Sequence, residues 1–210
     1  MLSFRHDEDL RGSIRDNLAK FERRDAAVDG LVPAAVAFAI VGNGEAEAAF
    51  VLTRRPSGLR RHGGQWSLPG GRYESGETAS AAALRELGEE VGLSLASADV
   101  LGLLDDFPTR SGFRITPVVV WGPSAVELVP DPDEVEAAYL VGLRALYAPD
   151  VPRFLPGQPS DPPLVTVRLA SPPTVVYAPT AAMIYQFREV ALEGRATRVD
   201  HFGQPRFAWR

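Results

Sequence analysis

Gly70-Gly71-Arg72-Tyr73-Glu74-Ser75-Gly76-Glu77 is followed, six residues on, by Leu84-Arg85-Glu86-Leu87-Gly88-Glu89-Glu90-Val91-Gly92-Leu93. The second run predicts a helix from about Thr78 to Val91, with Gly92 at the glycine position just past a helix end. At roughly 100° per residue, Glu86 and Glu90 share one face, with Glu89 beside them and the small Ala82 beneath. Leu84, Leu87 and Val91 form a separate stripe that faces a core. Three carboxylates on one face with no lysine among them repel one another, and something must compensate. The ordinary alternative is a solvated acidic face on an amphipathic helix. The other compensator is a hard divalent cation with oxygen ligands, Mg²⁺ or Mn²⁺.

The glycine-rich loop ahead of the helix favours the cation. From Gly71 to Leu93 the chain fits G-x5-E-x7-R-E-U-x-E-E-x-G-U at every position, where U is apolar. A chance match is on the order of one in a million or rarer at ordinary composition. This pattern resembles the Nudix box, so the chain is similar to the Nudix hydrolases. The resemblance implies an α/β/α sandwich with a mixed sheet and a loop–helix–loop that holds metal, Mg²⁺ or Mn²⁺. It also implies hydrolysis of a nucleoside diphosphate linked to another moiety. By position, Glu86 and Glu90 are then metal ligands, and Glu89 is a further ligand or the base that orients the attacking water. The Gly71 carbonyl is a backbone ligand, and Glu77 and Arg85 bond to each other and stiffen the loop. Independently of any family, water attack on a pyrophosphate needs its charge neutralised and a nucleophile aligned, and metal ions supply both.

Upstream, Val51-Leu52-Thr53-Arg54-Arg55 leads through Arg60 and Gly64 to Leu68-Pro69-Gly70-Gly71. This is similar to the motif of the coenzyme A pyrophosphatase branch, L-L-T-x-R-[SA]-x3-R-x3-G-x3-F-P-G-G. Thr53, Arg55, Arg60, Gly64, Pro69, Gly70 and Gly71 match in register, whereas Val51, Pro56 and Leu68 depart. Pro56 fixes its φ and removes an N–H, which alters how the loop presents Arg55; Leu68 removes an aromatic ring from a place where it could shape a pocket. Leu104-Asp105-Asp106, Thr109, Ser111-Gly112-Phe113, Thr116-Pro117, Glu134-Val135 and Thr180-Ala181 also resemble that branch. The resemblance implies cleavage of CoA or acyl-CoA to 3',5'-ADP and (acyl-)4'-phosphopantetheine, with Arg55 and Arg60, and Gly70 and Gly71, on the substrate. Arg54 and Arg61 read as solvated. His62 lies in the same loop and reads equally as a substrate contact and as an ordinary loop residue, while His6 and His201 read as surface residues. Glu134 reads equally as a late metal ligand or base and as a surface acid.

Around this centre the pattern is mixed α/β. A helix is expected over Leu10, Ile14, Leu18 and Phe21, and strands over Val32–Val41, Ala48–Thr53, Ala98–Leu104 and Phe113–Trp121. A short helix over Leu143–Tyr147 and a proline-rich excursion over Pro149–Pro163 come next, then a hairpin over Leu164–Leu169 and Thr174–Tyr177. A last helix, capped by Thr180, runs to about Leu192. The 210 residues suit one domain, with an N-terminal helix in 1–30, a core in 31–148 and a tail in 149–210. The tail either closes over a pantetheine arm or forms a homodimer contact.

Composition narrows the function class. The formal charge is -5, from 22 basic and 27 acidic residues, which argues against a general nucleic-acid binder. Zero cysteines exclude a disulfide scaffold, a thiolate metal site and a cysteine nucleophile. Met1–Leu18 has no apolar signal region, and the longest apolar run, Leu31–Val41, is about half a membrane span. A cytoplasmic protein that acts on a small nucleotide, with no nucleic acid or membrane partner, is the expectation. Yet from Ala48 to Tyr73 there is no acidic residue, and Arg54, Arg55, Arg60, Arg61 and Arg72 make that stretch basic immediately before the acidic helix. Within the class, the alternative substrates are ADP-ribose, NADH or a dinucleoside polyphosphate. A non-catalytic sensing module is the remaining reading, and Glu86, Glu89 and Glu90 all being present argues against it.

Overall fold

Strand β1, Val32–Gly42, has two unlike faces, and they decide the layering. Ala35, Ala37, Ala39 and Val41 point to one side, where they pack on Ala82, Ala83, Leu87 and Val91 of helix α2, Ala79–Val91. Val36, Phe38 and Ile40 point to the other, against Leu10, Ile14 and Leu18 of α1, Glu8–Lys20, and against α3, Thr180–Phe187. The alanine face lets α2 lie close to the sheet, since small side chains shorten the separation. The larger face fills a thicker layer, with Phe38 stacked on Phe187 at 3.8 Å between centroids. The result is helix, mixed sheet, helix. The computed structural model describes residues 3–27, 30–58, 63–156 and 162–205.

Around β1 the sheet is built from β2 (Ala48–Arg54), β3 (Trp66–Ser67), β4 (Gly70–Arg72), β5 (Val100–Leu103), β6 (Phe107–Pro108), β7 (Phe113–Trp121) and β8 (Ala137–Gly142). β7 runs parallel to β1, from Val32↔Phe113 to Ile40↔Trp121, and α2 lies in the long connection such a pair needs. The C-terminal half of β1 pairs with β2, whereas its N-terminal end pairs with β4, Ala35 opposite Gly71. β8 covers the outer edge of β2. A second, three-stranded sheet joins β9 (Arg153–Leu155), β10 (Leu164–Leu169) and β11 (Thr174–Tyr177). Its Val165, Val167, Leu169 and Val176 enter the same apolar core as Phe38 and Phe50.

Two buried acids fasten the segments that follow α1 and α3. Asp105 accepts two bonds from Arg198 at 2.7 and 2.8 Å, one from Gln186 at 2.7 Å and one from the Arg24 N–H at 2.7 Å. Asp106 accepts from Arg23, from the Ala26 N–H and from Thr116 Oγ1 at 2.6 Å. The Leu104-Asp105-Asp106 stretch therefore ties residues 23–26 and the segment around Arg198 to the sheet.

The expected strands lie within a residue or two of the observed ones, except that Ser97–Asp99 is a 3₁₀ turn ahead of β5. β8 was not expected, because Ala-Ala-Tyr-Leu-Val-Gly shows no clean alternation of apolar and polar residues. β9 lies inside the proline-rich excursion, and β3 and β4 lie inside the arginine–glycine loop. Pro179, not Thr180, is the N-cap of α3; the Thr180 hydroxyl instead donates to the Trp66 carbonyl at 3.2 Å. The helix then widens into π turns over Arg188–Leu192 and ends at Gly194, φ 66°. His201 is exposed, but His6 is half-buried, its ring stacked 4.1 Å from Trp121. No helix among the described residues is long and apolar enough to cross a membrane.

Candidate active site

α2 is stopped at both ends by local chemistry. The Thr78 hydroxyl accepts from the Ala81 N–H at 3.2 Å, and Gly92 takes the left-handed conformation, φ 71°, past the last turn. With Ala82, Ala83, Leu87 and Val91 pressed on the alanine face of β1, Glu86 and Glu90 are carried against β4. Leu84 is only partly buried, and Ala83 takes the core position beside Leu87.

Two glycines of β4 receive the carboxylates. The Gly70 N–H donates to Glu90 Oε2 at 3.1 Å. A Cβ on Gly71 would stand 2.2 Å from Glu86 Oε1, so only glycine leaves room for that carboxylate. A Cβ on Gly70 would meet the Ala35 carbonyl oxygen at 2.2 Å, so that glycine is required by the β1 backbone itself.

A loop between β7 and β8 brings a third carboxylate. The Val129 and Asp131 N–H groups donate to the carbonyls of Val91 and Glu90 at 2.9 and 3.0 Å, docking the loop on the end of α2. Asp131 then accepts from Asp133, Glu134 and Val135, which closes a tight turn. The turn sets Glu134 so that one carboxylate oxygen each from Glu86, Glu90 and Glu134 lies within 4.8 Å of the others. All three donors are oxygens, the set a hard divalent cation selects. Burial, first, and then the neighbouring carboxylates push the Glu90 acid up to about 8, against the Gly70 N–H and Arg55, which pull it down. Burial raises Glu86 as well, partly opposed by Arg85. A cluster in which negative charge is this costly is one that a cation would relieve.

Arg85 organises the loop before the helix. It donates to Glu77 at 2.9 and 3.1 Å, to Glu86 and Glu89 at 2.9 Å each, and to the Arg72 carbonyl at 3.0 Å. Glu77 also accepts from the Glu74 N–H at 2.7 Å, and its bonds to Arg85 hold its carboxyl below the usual range. An arginine is thus one compensator of the acidic face that helical geometry alone did not supply. Glu89 lies outside the clustered oxygens: it is more than half exposed and held by Arg85.

Of the expected substrate arginines, Arg55 is half-buried beside the cluster. Its Nε is buried without a hydrogen-bond partner among the described residues, and its charge reaches Glu90. Arg60, Arg61 and His62 lie outside the described residues. Thr53 Oγ1 bonds the Ser67 carbonyl at 3.0 Å and pins β2 to β3. Leu68 is buried in the core, so its departure from an aromatic residue alters packing and not a pocket wall. Sequence reasoning did not single out Ser57 or Glu136, whose carboxylate accepts from Ser57 Oγ at 3.0 Å. It left Glu134 open, because nothing local says which distant acid returns to the helix.

Residues 31–159 match the family model of the NUDIX domain. The chain belongs to the Nudix family. It is 34% identical over 132 residues to a protein of Citrobacter koseri named uncharacterized Nudix hydrolase NudL, covering 60% of this chain and 68% of that one. It is 36% identical over 107 residues to Nudix hydrolase 22, chloroplastic, of Arabidopsis thaliana, covering 50% of this chain and 35% of that one. Against several other enterobacterial NudL proteins the match spans about half of their length. The fold is also that of a MutT/nudix family protein from Enterococcus faecalis, with a TM-score of 0.50 and 16% identity over 90% of this chain and 75% of that one. The chain is therefore a Nudix hydrolase, acting on the pyrophosphate bond of a nucleoside diphosphate derivative. Divalent metal ions serve this family, and the oxygens of Glu86, Glu90 and Glu134 suit one.

Proposed function

We propose that the substrate is CoA or acyl-CoA, cleaved at its diphosphate to 3',5'-ADP and (acyl-)4'-phosphopantetheine. The observation that carries this reading is Arg55: the arginine at a fixed position of the CoA-branch motif is near enough for its charge to act on Glu90, and its buried Nε–H has no hydrogen-bond partner among the described residues. A guanidinium there suits a phosphate held next to the carboxylates. Arg60, five residues further along the same motif, adds a second cation for a ligand that carries a 3'-phosphate besides its diphosphate.

Glu86, Glu90 and Glu134, with the Gly71 carbonyl, would hold Mg²⁺ or Mn²⁺, which when bound neutralises the diphosphate and lowers the pKa of water. This chain's own residues do the rest. Gly70 and Gly71 keep β4 close enough for the carboxylates to converge, and Arg85 fixes the loop through Glu77. Arg55 orients the phosphate. Water attacks one phosphorus, the bridging P–O bond breaks, and the water's proton passes to a carboxylate. Glu89, solvent-facing and held by Arg85, is the group we assign to that proton.

Turnover of CoA, ADP-ribose, NADH and a dinucleoside polyphosphate, each with Mg²⁺ and with Mn²⁺, tests the reading. CoA turning over fastest supports it, and inert CoA with active ADP-ribose sinks it. Glu86→Gln and Glu90→Gln are expected to lose turnover with the fold retained. Unchanged turnover would remove the metal-ligand assignment.

A further inference from the structure

The loop that delivers Glu134 does not end at the carboxylates. One residue past Val135, Glu136 reaches the arginine loop on both sides of Arg55. Its backbone N–H donates to the Arg54 carbonyl at 2.8 Å, at the end of the β2–β8 ladder, whose last pair is Arg54↔Ala137. Its carboxylate accepts from Ser57 Oγ at 3.0 Å and lies 3.7 Å from Arg54 Nε. Arg55 itself is closed at the base of the loop, its N–H donating to the Gln65 carbonyl at 2.9 Å and its carbonyl accepting from Gly64 at 3.2 Å. The stretch Arg54–Ser57 is thus gripped at two points by one residue, and Arg55 lies between them.

The other end of the same loop is docked on the Val91 and Glu90 carbonyls. Residues 129–136 therefore form a strap, from the end of the helix that bears Glu86 and Glu90 to the loop that bears Arg55. We propose that Glu136 is a positioning residue, a clasp that holds the phosphate-binding arginine loop at a fixed distance from the carboxylate cluster. This rests on the reading of Arg55 as a phosphate contact. Pro56 strengthens it: the proline fixes one φ between the two gripped points, so the tether is transmitted to Arg55 with little slack. A clasp at the surface adds little to folding stability, since both Glu136 and Arg54 are partly solvated. Its effect is on where Arg55 stands when substrate arrives.

Removing the carboxylate by Glu136→Ala is expected to raise KM about tenfold, with kcat within about threefold, because an interaction uniform to ground and transition states is weakened. Ser57→Ala should move KM in the same direction by less. Glu136→Gln keeps an oxygen that accepts from Ser57 and should restore most of the wild-type KM. Thermal unfolding of the variants should stay within a few degrees of wild type. The substrate is CoA or whichever diphosphate derivative of the panel the wild type hydrolyses, so failure of the CoA reading leaves this test intact. Calorimetric affinity for α,β-methylene-ADP, which is not cleaved, gives the same comparison without turnover. An unchanged KM and affinity in Glu136→Ala would overturn the proposal. So would a lower KM in both Glu136 variants, which would make Glu136 only a neutraliser of Arg54. A loss of kcat in step with melting temperature would make it only a structural residue.

Discussion

Gly70 and Gly71 are adjacent, both lie on β4, and both approach other atoms closely, yet only one of the two alanine replacements should cost the fold much stability. A Cβ at Gly71 would lie 2.2, 2.4 and 2.7 Å from Glu86 Oε1, Cδ and Oε2, short of van der Waals contact by about 1 Å or more. Those atoms are the far end of a flexible side chain, so the fold can yield by turning the carboxylate away. The bond from Arg85 Nη1 to Glu86, 2.9 Å, is lost, at about 1 kcal/mol, which for a protein of this size lowers Tm by roughly 2–4 °C. The carboxylate, however, leaves the cluster with Glu90 and Glu134, and a misplacement of about 1 Å costs about 10²-fold in rate. A Cβ at Gly70 would stand 2.2 Å from the Ala35 carbonyl oxygen and 2.6 Å from Val36 Cα, which are backbone and cannot turn aside. Gly70→Ala should therefore break the β4–β1 pairing and destabilise by about 3 kcal/mol. Thermal or urea unfolding, together with chromatographic release of 3',5'-ADP from CoA (or the corresponding product of the active substrate), separates the two. If Gly71→Ala keeps its rate within threefold, or loses it only in proportion to stability, Gly71 does not position Glu86.

Three further outcomes are expected. Asp105→Ala removes the carboxylate that accepts two bonds from Arg198 and one from Gln186, and should destabilise by about 3–5 kcal/mol, or about 10 °C in Tm; a loss below about 1 kcal/mol in urea unfolding would show that these segments are not fastened there. Glu134→Gln should reduce kcat by about 10²-fold and Glu89→Gln by about tenfold, since Glu134 shares the cluster with Glu86 and Glu90 while Glu89 is held outside it by Arg85; the reverse ranking in steady-state kinetics would move the third carboxylate to Glu89. Burial against Trp121 lowers the His6 pKa, so below the unfolded value of 6.5 the unfolded chain binds more protons and stability falls as pH falls; the urea midpoint of wild type should drop more between pH 7.5 and pH 5.5 than that of His6→Gln, and equal drops would refute it.

Helix α2 was legible because its information is local. The 3.6-residue period, the Thr78 and Gly92 ends and the alternation of acids with small and apolar residues lie within one continuous segment. Strands β1, β2, β7, β10 and β11 were legible for the same reason, each being a run of apolar or β-branched residues bounded by turns. Short strands were not: β3, β4 and β6 are two or three residues long and exist because a neighbour supplies the hydrogen bonds. Leu68 shows the same limit from the other side, since a motif position that looked like a pocket wall is a core position once β3 and β4 are paired.

By itself, then, the sequence determined the helix with its acidic face, the glycine loop before it and the arginines before that, and with them the family; which of the three helix carboxylates turn inward it did not determine. Tertiary structure decided which distant groups join them. Glu134 reaches Glu86 and Glu90 only because backbone N–H groups of Val129 and Asp131 find the free carbonyls at the end of α2. Glu136 reaches Arg54 and Ser57 only because β8 pairs with β2. Those contacts are set by where distant chain segments, from Val91 and Val129 to Arg54 and Glu136, are packed, and no local periodicity records that.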